Sequence, residues 1–251
     1  MNRIEDYNQL ETSIVTWIQN YASTNKIKSL VVGVSGGIDS AVVSTLCAET
    51  GLPTYIVSMP LHSKIESSAL SVDHCKSLDA KYDNVTYVRV ELSTVYDKFM
   101  HSLKWWTGDE FSDSELANAN TKSRLRMVTL YQIAGSVGGI VVGTGNKVED
   151  YGVGFYTKYG DGGVDIAPIA DLYKTEVWEL GKHLNVDQSI VDAKPTDGLW
   201  NDGRTDEDQL GASYEDLEYA MEHGTGPAVR ILHDYHCKNK HKMNPIPTFT
   251  L

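Results

Sequence analysis

The chain has 251 residues, of which 41% are hydrophobic and 22% are charged, a composition typical of a soluble globular protein. Acidic residues outnumber basic ones by 34 to 22, and the net charge of −12 argues against a nucleic-acid partner, which would need clustered Lys and Arg. No segment approaches the roughly 18 consecutive apolar residues of a membrane span, and no leader pattern opens the chain. We therefore expect a cytoplasmic protein that binds neither a membrane nor a nucleic acid.

The three cysteines, Cys47, Cys75 and Cys237, are unevenly spaced and form no C-x-x-C pair. This pattern predicts neither a disulfide framework nor a zinc site, and we interpret all three as structural. Because the chain is acidic, anionic small substrates would need local cations or a metal ion for binding.

Strand and helix signals alternate along most of the chain. They predict strands at 30–34, 54–59, 86–90 and 139–143, and helices after Asp39 and at 63–80, 114–136 and 175–184. This alternation predicts an α/β fold, a doubly wound, Rossmann-like open parallel sheet with helices on both faces. We interpret residues 1–251 as a single domain.

Ligands of open α/β sheets bind beyond the carboxyl ends of the strands, so the segments 33–40, 58–60 and 143–150 are expected to meet at one edge. The long connection 197–211 is rich in Asp, Gly and Glu. We interpret it as either a mobile lid or a solvated acidic loop.

Residues 33–40 read GVSGGIDS and lie where the first predicted strand gives way to a helix. Two adjacent glycines let the backbone turn sharply and direct amide groups at one anion, and the helix N-terminus adds partial positive charge. The segment matches neither a Walker A loop nor a Gly-x-Gly-x-x-Gly fingerprint. We predict a phosphate-binding loop, with a glycine-rich turn and an Asp39 helix N-cap as the alternative. Its predicted ATP-binding residues are Gly33, Val34, Ser35, Gly36, Gly37, Ile38, Asp39 and Ser40.

The loop resembles the pyrophosphate loop of the ATP pyrophosphatases, which split ATP into AMP and pyrophosphate. Further along the chain, NTKSRLRM at 120–127, VVGTGNKVED at 141–150 and FYTKYGDGGVD at 155–165 resemble the ammonia-dependent NAD synthetases. The resemblance extends to His241 and Lys242 and covers most of the chain.

This resemblance implies a ligase that uses ATP, Mg²⁺ and ammonia to amidate nicotinic acid adenine dinucleotide, here called deamido-NAD. The nicotinate carboxylate is first adenylated and then aminolysed, giving NAD, AMP and pyrophosphate. Because a carboxylate is already ionised at neutral pH, the protein needs mainly to align it and to screen charge. We expect no glutaminase domain, so the nitrogen donor would be free ammonia.

The resemblance also implies that Asp39 and Glu149 bind Mg²⁺, which prefers one or two carboxylates together with substrate phosphates. Thr144, Lys174 and Thr196 match positions that contact ATP, and Lys174 would act on the triphosphate as a catalytic charge. In the alternative, Glu149 is a solvated loop acid, Thr144 a turn hydroxyl and Lys174 an exposed residue at a helix start.

Other residues match positions that contact deamido-NAD in the family: Arg124, Lys158, Asp165, His241 and Lys242. Arg126 competes with Arg124, because helical residues two positions apart point in different directions. The alternative for His241 and Lys242 is a solvated basic tail.

Asp161 lies in the predicted turn Tyr-Gly-Asp-Gly-Gly and is expected near the incoming ammonia as a catalytic residue. A carboxylate can bind ammonium and help to take the proton that ammonium loses before it attacks. Asp161 is otherwise an ordinary occupant of a tight turn.

The chain departs from one branch of the family after Gly143 and Thr144. It reads Gly-Asn-Lys-Val where other members carry Asp-His-Ala-Ala, and one extra residue precedes Gly154. The assignments of Thr144, Glu149 and Lys158 are unaffected.

Two other functions are compatible with the phosphate loop alone. A tRNA thiolation or lysidine synthetase is disfavoured by the acidic charge, the lack of C-x-x-C pairs and the downstream motifs. A non-catalytic adenine-nucleotide sensor would need neither Glu149 nor the array from 158 to 165. The family resemblance also implies a homodimer, for which Trp105, Trp106 and Tyr131 are aromatic anchors, or else core residues.

Overall fold

Four parallel strands form the central sheet of the computed structural model, which describes residues 3–63, 65–196, 198–200 and 204–250. The strands are β1 (Ser29–Gly33), β2 (Thr54–Ser58), β3 (Val85–Arg89) and β4 (Gly139–Val142), and their order across the sheet is β3-β2-β1-β4. All four predicted strands are present, and the predicted α/β class is confirmed.

The order of the strands creates a crevice at the carboxyl end of β1. Successive strands β1, β2 and β3 extend to one side, whereas β4 pairs with the other edge of β1, with Val32 opposite Val142. Such a reversal leaves a gap in which ligands bind, because the following loops diverge to opposite sides. A short parallel bridge between Val142 and Ile166 continues the sheet beyond β4.

Ten helices and one short π-helix lie in the described ranges. They are α1 (Tyr7–Asn25), α2 (Ile38–Glu49), α3 (Ile65–Lys81), α4 (Ser93–Thr107), α5 (Glu115–Val137), the π-helix Val148–Val153, α6 (Lys174–His183), α7 (Gln188–Val191), α8 (Asp206–Leu210), α9 (Tyr214–His223) and α10 (Val229–Met243). The predicted helices correspond to α2, α3, α5 and α6.

Helices cover both faces of the sheet, as predicted. Leu30 and Val32 of β1 point into a core shared with α1, α2 and α6. Val31, between them, points to the opposite face, where it packs with Val141 and with residues of α5. This alternation follows from the two-residue period of a strand, and the uninterrupted apolar run of β1 reflects burial on both faces.

A smaller apolar cluster lies beside the sheet and supports the C-terminal part of the chain. It joins Val148 and Val153 of the π-helix to Leu210 of α8 and to Tyr214 and Leu217 of α9. The π-helix therefore packs against α8 and α9, and this packing fixes the position of the residues that follow β4.

The segment 197–211 contains helix α8, in which Asp206 is only 6% exposed, and positions 197 and 201–203 lie outside the described residues. The mobile lid over this segment stays a prediction. One expectation from the sequence is corrected: Cys47 and Cys75 are buried, but Cys237 is exposed and is therefore not a structural core residue. No helix of the described chain is long and apolar enough to span a membrane.

Candidate active site

A cavity of about 630 Å³ opens at the carboxyl end of the sheet. The segments 33–40, 58–60 and 143–145 all line it, so the expectation that these strand ends meet at one edge is confirmed. Residues 193–196 and 198–200 close another side, and the turn around Asp161 forms part of the wall.

The glycine-rich loop is held in shape by its own serines. The Ser35 amide donates to Ser40 Oγ at 3.1 Å, and the Gly37 amide donates to Ser35 Oγ at 3.2 Å. Gly36 has φ of 95°, a left-handed conformation that favours glycine. Gly37, and not Asp39, is the N-cap of α2, so the N-cap interpretation of Asp39 is wrong. Asp39 lies in the first turn of α2.

Lys174 connects the two predicted metal ligands. Its Nζ donates to Asp39 Oδ2 at 2.6 Å and to Glu149 Oε1 at 3.2 Å. Lys174 is 3% exposed, although it is the first residue of α6, so the alternative of a solvent-exposed helix start is wrong. Glu149 is likewise paired and not a solvated loop acid.

Burial and ion pairing oppose each other at Lys174. Burial alone would lower the pKa of Lys174, but the carboxylates of Asp39 and Glu149 more than offset it and raise the pKa above its ordinary value. The ammonium therefore stays charged and neutralises part of the negative charge at the sheet edge. A buried ion pair of this kind needs further hydrogen bonds to the carboxylates, and the structure provides them.

Two residues that the sequence did not single out orient these carboxylates. Asn146 Nδ2 donates to Asp39 Oδ1 at 3.2 Å, while its Oδ1 accepts from the Glu149 amide, also at 3.2 Å. Tyr214 OH donates to Glu149 Oε1 at 2.7 Å. Burial, followed by the charge of Glu149, raises the pKa of Tyr214, which therefore remains a hydrogen-bond donor.

The other predicted ATP contacts also line the cavity. Thr144 follows β4 at the sheet edge. Thr196 lies across the cavity, where its hydroxyl donates to the Arg204 carbonyl at 3.2 Å. Arg126 faces the cavity too and donates to the Met59 carbonyl at 3.2 Å. Of the two competing arginines of α5, the structure thus brings Arg126 to the cavity.

Asp161 lies in the cavity wall, and a fixed network holds its carboxylate. Oδ1 accepts from Ser123 Oγ at 2.7 Å and from the Thr157 amide at 3.0 Å. Although part of its surface is open to the cavity, the surrounding protein limits its hydration, and this desolvation raises the pKa of Asp161. Its environment therefore favours proton uptake more than water does.

The five predicted deamido-NAD contacts lie outside the cavity lining. Arg124 donates to the Lys158 carbonyl at 3.3 Å, and Lys158 Nζ donates to the His241 carbonyl at 3.4 Å. Lys242 is half-buried and bonds to the Tyr156 carbonyl at 2.7 Å, so it is not part of a solvated tail. Hydrogen bonds thus connect three of the five, Arg124 of α5, Lys158 and His241 of α10, while Lys242 of α10 is bonded to Tyr156.

Asp165, the fifth of these residues, lies apart from the other four. Its Oδ2 accepts from the Val141 amide at 2.8 Å, and its Oδ1 accepts from Tyr131 OH at 3.1 Å. These bonds connect β4 to α5, and the contact of Asp165 with deamido-NAD stays a prediction.

Asp150 is the acidic cavity residue that the sequence interpretation left without a role. It follows Glu149 in the π-helix and lines the cavity. Burial, and then the charges of Glu149, Asp161 and Asp39, raise the pKa of the Asp150 carboxyl to about 7. The signal that could have found it was the departure at Gly145, five residues earlier, which changes the space around position 150.

Comparison with known proteins supports the resemblance to NAD synthetases that the sequence motifs indicate. The NAD synthase family model matches residues 10–241. The chain is 38% identical over 232 residues to an NH(3)-dependent NAD(+) synthetase of Carboxydothermus hydrogenoformans, a match that covers 91% of this chain and 92% of that one.

Solved structures resemble the whole chain. An NMN synthetase from Francisella tularensis has a TM-score of 0.90 at 30% identity, covering 99% of this chain and 100% of that one. An NH3-dependent NAD synthetase from Campylobacter jejuni, in complex with the nitrate ion, has a TM-score of 0.77 at 25% identity, covering 98% and 100%. Both its sequence and its fold show that the chain belongs to the NAD synthase family.

Proposed function

We propose that this protein, as a single synthetase domain in the cytoplasm, is an ammonia-dependent NAD synthetase that converts deamido-NAD, ATP and ammonia into NAD, AMP and pyrophosphate. The observation that carries the proposal is the buried Lys174, bonded to Asp39 and Glu149 beside a phosphate-type loop. A structural ion pair alone would not need a cavity, a helix N-terminus and a glycine-rich loop at the same place.

Adenylation requires that a carboxylate approach the α-phosphorus against its negative charge. Loop 33–40 and the start of α2 offer amide donors for the pyrophosphate that leaves, and Lys174 offers a fixed positive charge. The oxygen of the nicotinate carboxylate forms the new bond to phosphorus as the bond to pyrophosphate breaks. The protein contributes alignment and charge screening, and no general base is needed.

The residues fit Mg²⁺ as the metal of this step. Asp39 and Glu149 supply hard oxygen donors that already share one cation, Lys174, next to the loop for the triphosphate. Within the described ranges, no three His, Cys, Asp or Glu side chains form a complete metal site, as suits an ion that takes its other ligands from phosphates and water. When bound, Mg²⁺ screens the phosphate charge.

Aminolysis then consumes the adenylate. Ammonium gives one proton to a base, the nitrogen attacks the carbonyl carbon, AMP leaves with the former carboxylate oxygen, and the nitrogen loses a second proton to become the amide. Asp161 is the group that we assign to bind ammonium and take the first proton, because its carboxylate lies in the cavity wall and its pKa is raised.

A reconstituted reaction tests the proposed function. Purified protein with ATP, Mg²⁺, ammonium chloride and deamido-NAD should form NAD, AMP and pyrophosphate in equal amounts, measured by chromatography and a pyrophosphatase-coupled assay. Formation of ADP, or nucleotide turnover without an amide product, would contradict the reaction. Binding of ATP without turnover would instead support a nucleotide sensor.

A second substrate follows from the similarity to the NMN synthetase of Francisella tularensis, whose fold agrees more closely with this chain than that of the Campylobacter jejuni enzyme. The same chemistry on nicotinic acid mononucleotide would yield nicotinamide mononucleotide. Comparing kcat/KM for the two acids in the same assay decides between them. We favour deamido-NAD, because the curated relatives at 34–40% identity are named as NAD synthetases.

We also propose a homodimer in which α4 and α5 form the contact. None of the residues of α4, all of which are described, is buried, and Trp105 and Trp106 are 74% and 83% exposed. Phe99 and Phe111 extend this apolar surface, and Val128 of α5 is also exposed. Several exposed large apolar side chains on one part of the surface favour a protein partner. Because Trp105 and Trp106 are exposed, their interpretation as core residues is wrong.

Changing Trp106 to Glu should convert the dimer to monomers, because a charge in the centre of an apolar interface is buried without a partner. Sedimentation velocity measures the change directly. Trp17→Glu is a matched control, since Trp17 is also exposed but lies on α1. A wild-type monomer, or an undisturbed dimer in Trp106→Glu, would rule out this interface.

A further inference from the structure

Helix α10 directs three side chains at the backbone of the segment that follows β4. His236, Asn239 and Lys242 are spaced three positions apart, so they lie along one side of the helix. His236 Nδ1 bonds to the Gly152 carbonyl at 3.0 Å, and Asn239 Nδ2 donates to the Val153 carbonyl at 2.8 Å. These carbonyls belong to the end of the π-helix, where backbone acceptors lack partners within the helix. The side chains of α10 therefore cap the π-helix.

Lys242, the last of the three, bonds to the backbone just beyond the π-helix. Its Nζ donates to the Gly154 carbonyl at 2.5 Å and to the Tyr156 carbonyl at 2.7 Å. The same atom lies 4.8 Å from the centroid of the Tyr156 ring. Phe155 and Tyr156 line the cavity. One half-buried lysine thus holds a short stretch of the cavity wall.

A single peptide unit connects Lys242 to Asp161. Its carbonyl, that of Tyr156, accepts from Lys242 Nζ, and its amide, that of Thr157, donates to Asp161 Oδ1 at 3.0 Å. Because a trans peptide unit is planar and its C=O and N–H point in opposite directions, fixing the carbonyl also fixes the amide. A cation at the carbonyl further polarises the N–H as a donor. Lys242 therefore aims and strengthens a hydrogen bond to the Asp161 carboxylate.

The charge of Lys242 acts on Asp161 in the same direction. Burial raises the pKa of Asp161, whereas the hydrogen bonds that it accepts and the positive charge of Lys242 oppose this shift. The other titratable groups with which Asp161 interacts are Asp150 of the π-helix and Tyr156, and neither of them supplies a positive charge. Lys242 thus favours the ionised carboxylate, which is the form that can bind ammonium.

We propose that Lys242 is a positioning residue of the aminolysis step, which orients the peptide unit between Tyr156 and Thr157 and acts with its charge on the Asp161 carboxylate. This inference rests on the proposed function, because it gives Lys242 a role in the amide-forming step. Two of the three N–H donors of its ammonium are already used on carbonyls. A contact between Lys242 and deamido-NAD is the competing outcome of the test.

The first variant is Lys242→Met, which keeps the length of the side chain and removes its charge and its donors. At saturating deamido-NAD, the kcat/KM for ammonium should fall roughly tenfold to a hundredfold, as expected for the loss of hydrogen bonds from a charged group. The KM for deamido-NAD and the burst of pyrophosphate formed without ammonia should stay unchanged. Lys240→Met is the matched control, since Lys240 is exposed in the same last turn of α10.

A pH profile adds a readout that a merely structural role would not change. Amide formation should slow as the pH falls through the pKa of Asp161, because the protonated acid neither binds ammonium nor takes its proton. Without the charge of Lys242 this pKa rises, so the acid limb of Lys242→Met should lie at higher pH than that of the wild type. Lys242→Gln keeps an N–H donor but not the charge. It should show the same displacement, and it replaces Lys242→Met if that variant does not fold.

A double variant tests whether Lys242 acts through Asp161. In the background of Asp161→Asn, the change Lys242→Met should cause no further loss of amide formation, since both changes act on one carboxylate. Two losses that multiply would show that Lys242 acts elsewhere and would overturn the inference.

The outcomes separate this inference from the proposed function. If the wild type forms no amide from either nicotinic acid nucleotide, the proposed function fails before any variant is compared. If the wild type is active and Lys242→Met raises the KM for deamido-NAD but leaves the kcat/KM for ammonium unchanged, Lys242 is a substrate contact and only this inference fails. An acid limb that stays in place in both Lys242 variants would overturn it as well.

Discussion

Replacing Asp39 by asparagine is expected to slow adenylation by roughly 10²- to 10³-fold, the range seen when one electrostatic contact to a transition state is removed. Asp39 Oδ2 is the closer partner of Lys174, at 2.6 Å, and Asp39 is one of two proposed Mg²⁺ ligands. A neutral amide has the same shape but can neither balance the lysine nor bind the metal with comparable strength. The loss should appear in kcat and not only in the KM for ATP.

A single-turnover assay of pyrophosphate release, without ammonia, measures this step alone. Asp73→Asn is a control, because Asp73 is exposed on α3 and does not line the cavity. Thermal unfolding checks that the variant is folded, as expected while Lys174 keeps its bond to Glu149. An unchanged rate of pyrophosphate release in Asp39→Asn would remove Asp39 from the mechanism.

Replacing Asp161 by asparagine should have the complementary effect, a loss of aminolysis by roughly 10²-fold or more with adenylation largely spared. The amide oxygen of asparagine can still accept the hydrogen bonds from Ser123 and the Thr157 amide, so the turn should keep its shape. What disappears is the charge that binds ammonium and the site that takes its proton.

Rapid-quench measurements of pyrophosphate and of the amide product distinguish the two steps of Asp161→Asn. A normal burst of pyrophosphate followed by slow amide formation is the expected pattern. Asp83→Asn, an exposed acid between α3 and β3, controls for a general loss of negative charge. An equal loss of both steps would show that Asp161 is not specific to ammonia.

The sheet and the glycine-rich turn that follows β1 were predictable because their signals are local. The apolar run before Gly33 is continuous because β1 is buried on both faces, and the double glycine at 36 and 37 follows directly from it. Strand ends of a parallel sheet meet by topology, so the position of Thr144 near this loop needed no knowledge of side chains.

The contacts of Lys174 depended on packing that the sequence does not reveal. Its burial results from α6 packing on α2, which brings a helix start next to Asp39. Tyr214, which orients Glu149, comes from a helix 65 positions further along the chain. The hydroxyl of a distant tyrosine has no local sequence signal, and none was predicted.

The choice between Arg124 and Arg126 depends on the rotation of helix α5 about its axis, which the sequence does not fix. Arg124 and Arg126 lie on the same helix, and only the packing of α5 against β1 and β4 decides that Arg126 reaches the cavity. The direction of Asp150 was likewise not predictable from the sequence. The residues Val148–Val153 carry no signal for a π-helix, so the sequence could not indicate where the consecutive acids Glu149 and Asp150 point.

The first turn of α6 is fastened on several sides. Glu176 accepts bonds from the Tyr173 amide and from Arg3, at 2.8 and 2.7 Å, and Thr175 donates to Glu218 at 2.6 Å. Lys174 lies between these anchors, so the long side chain of this proposed catalytic lysine is immobilised by the fold itself. Its conformational entropy is lost once, during folding, and not again each time a nucleotide binds.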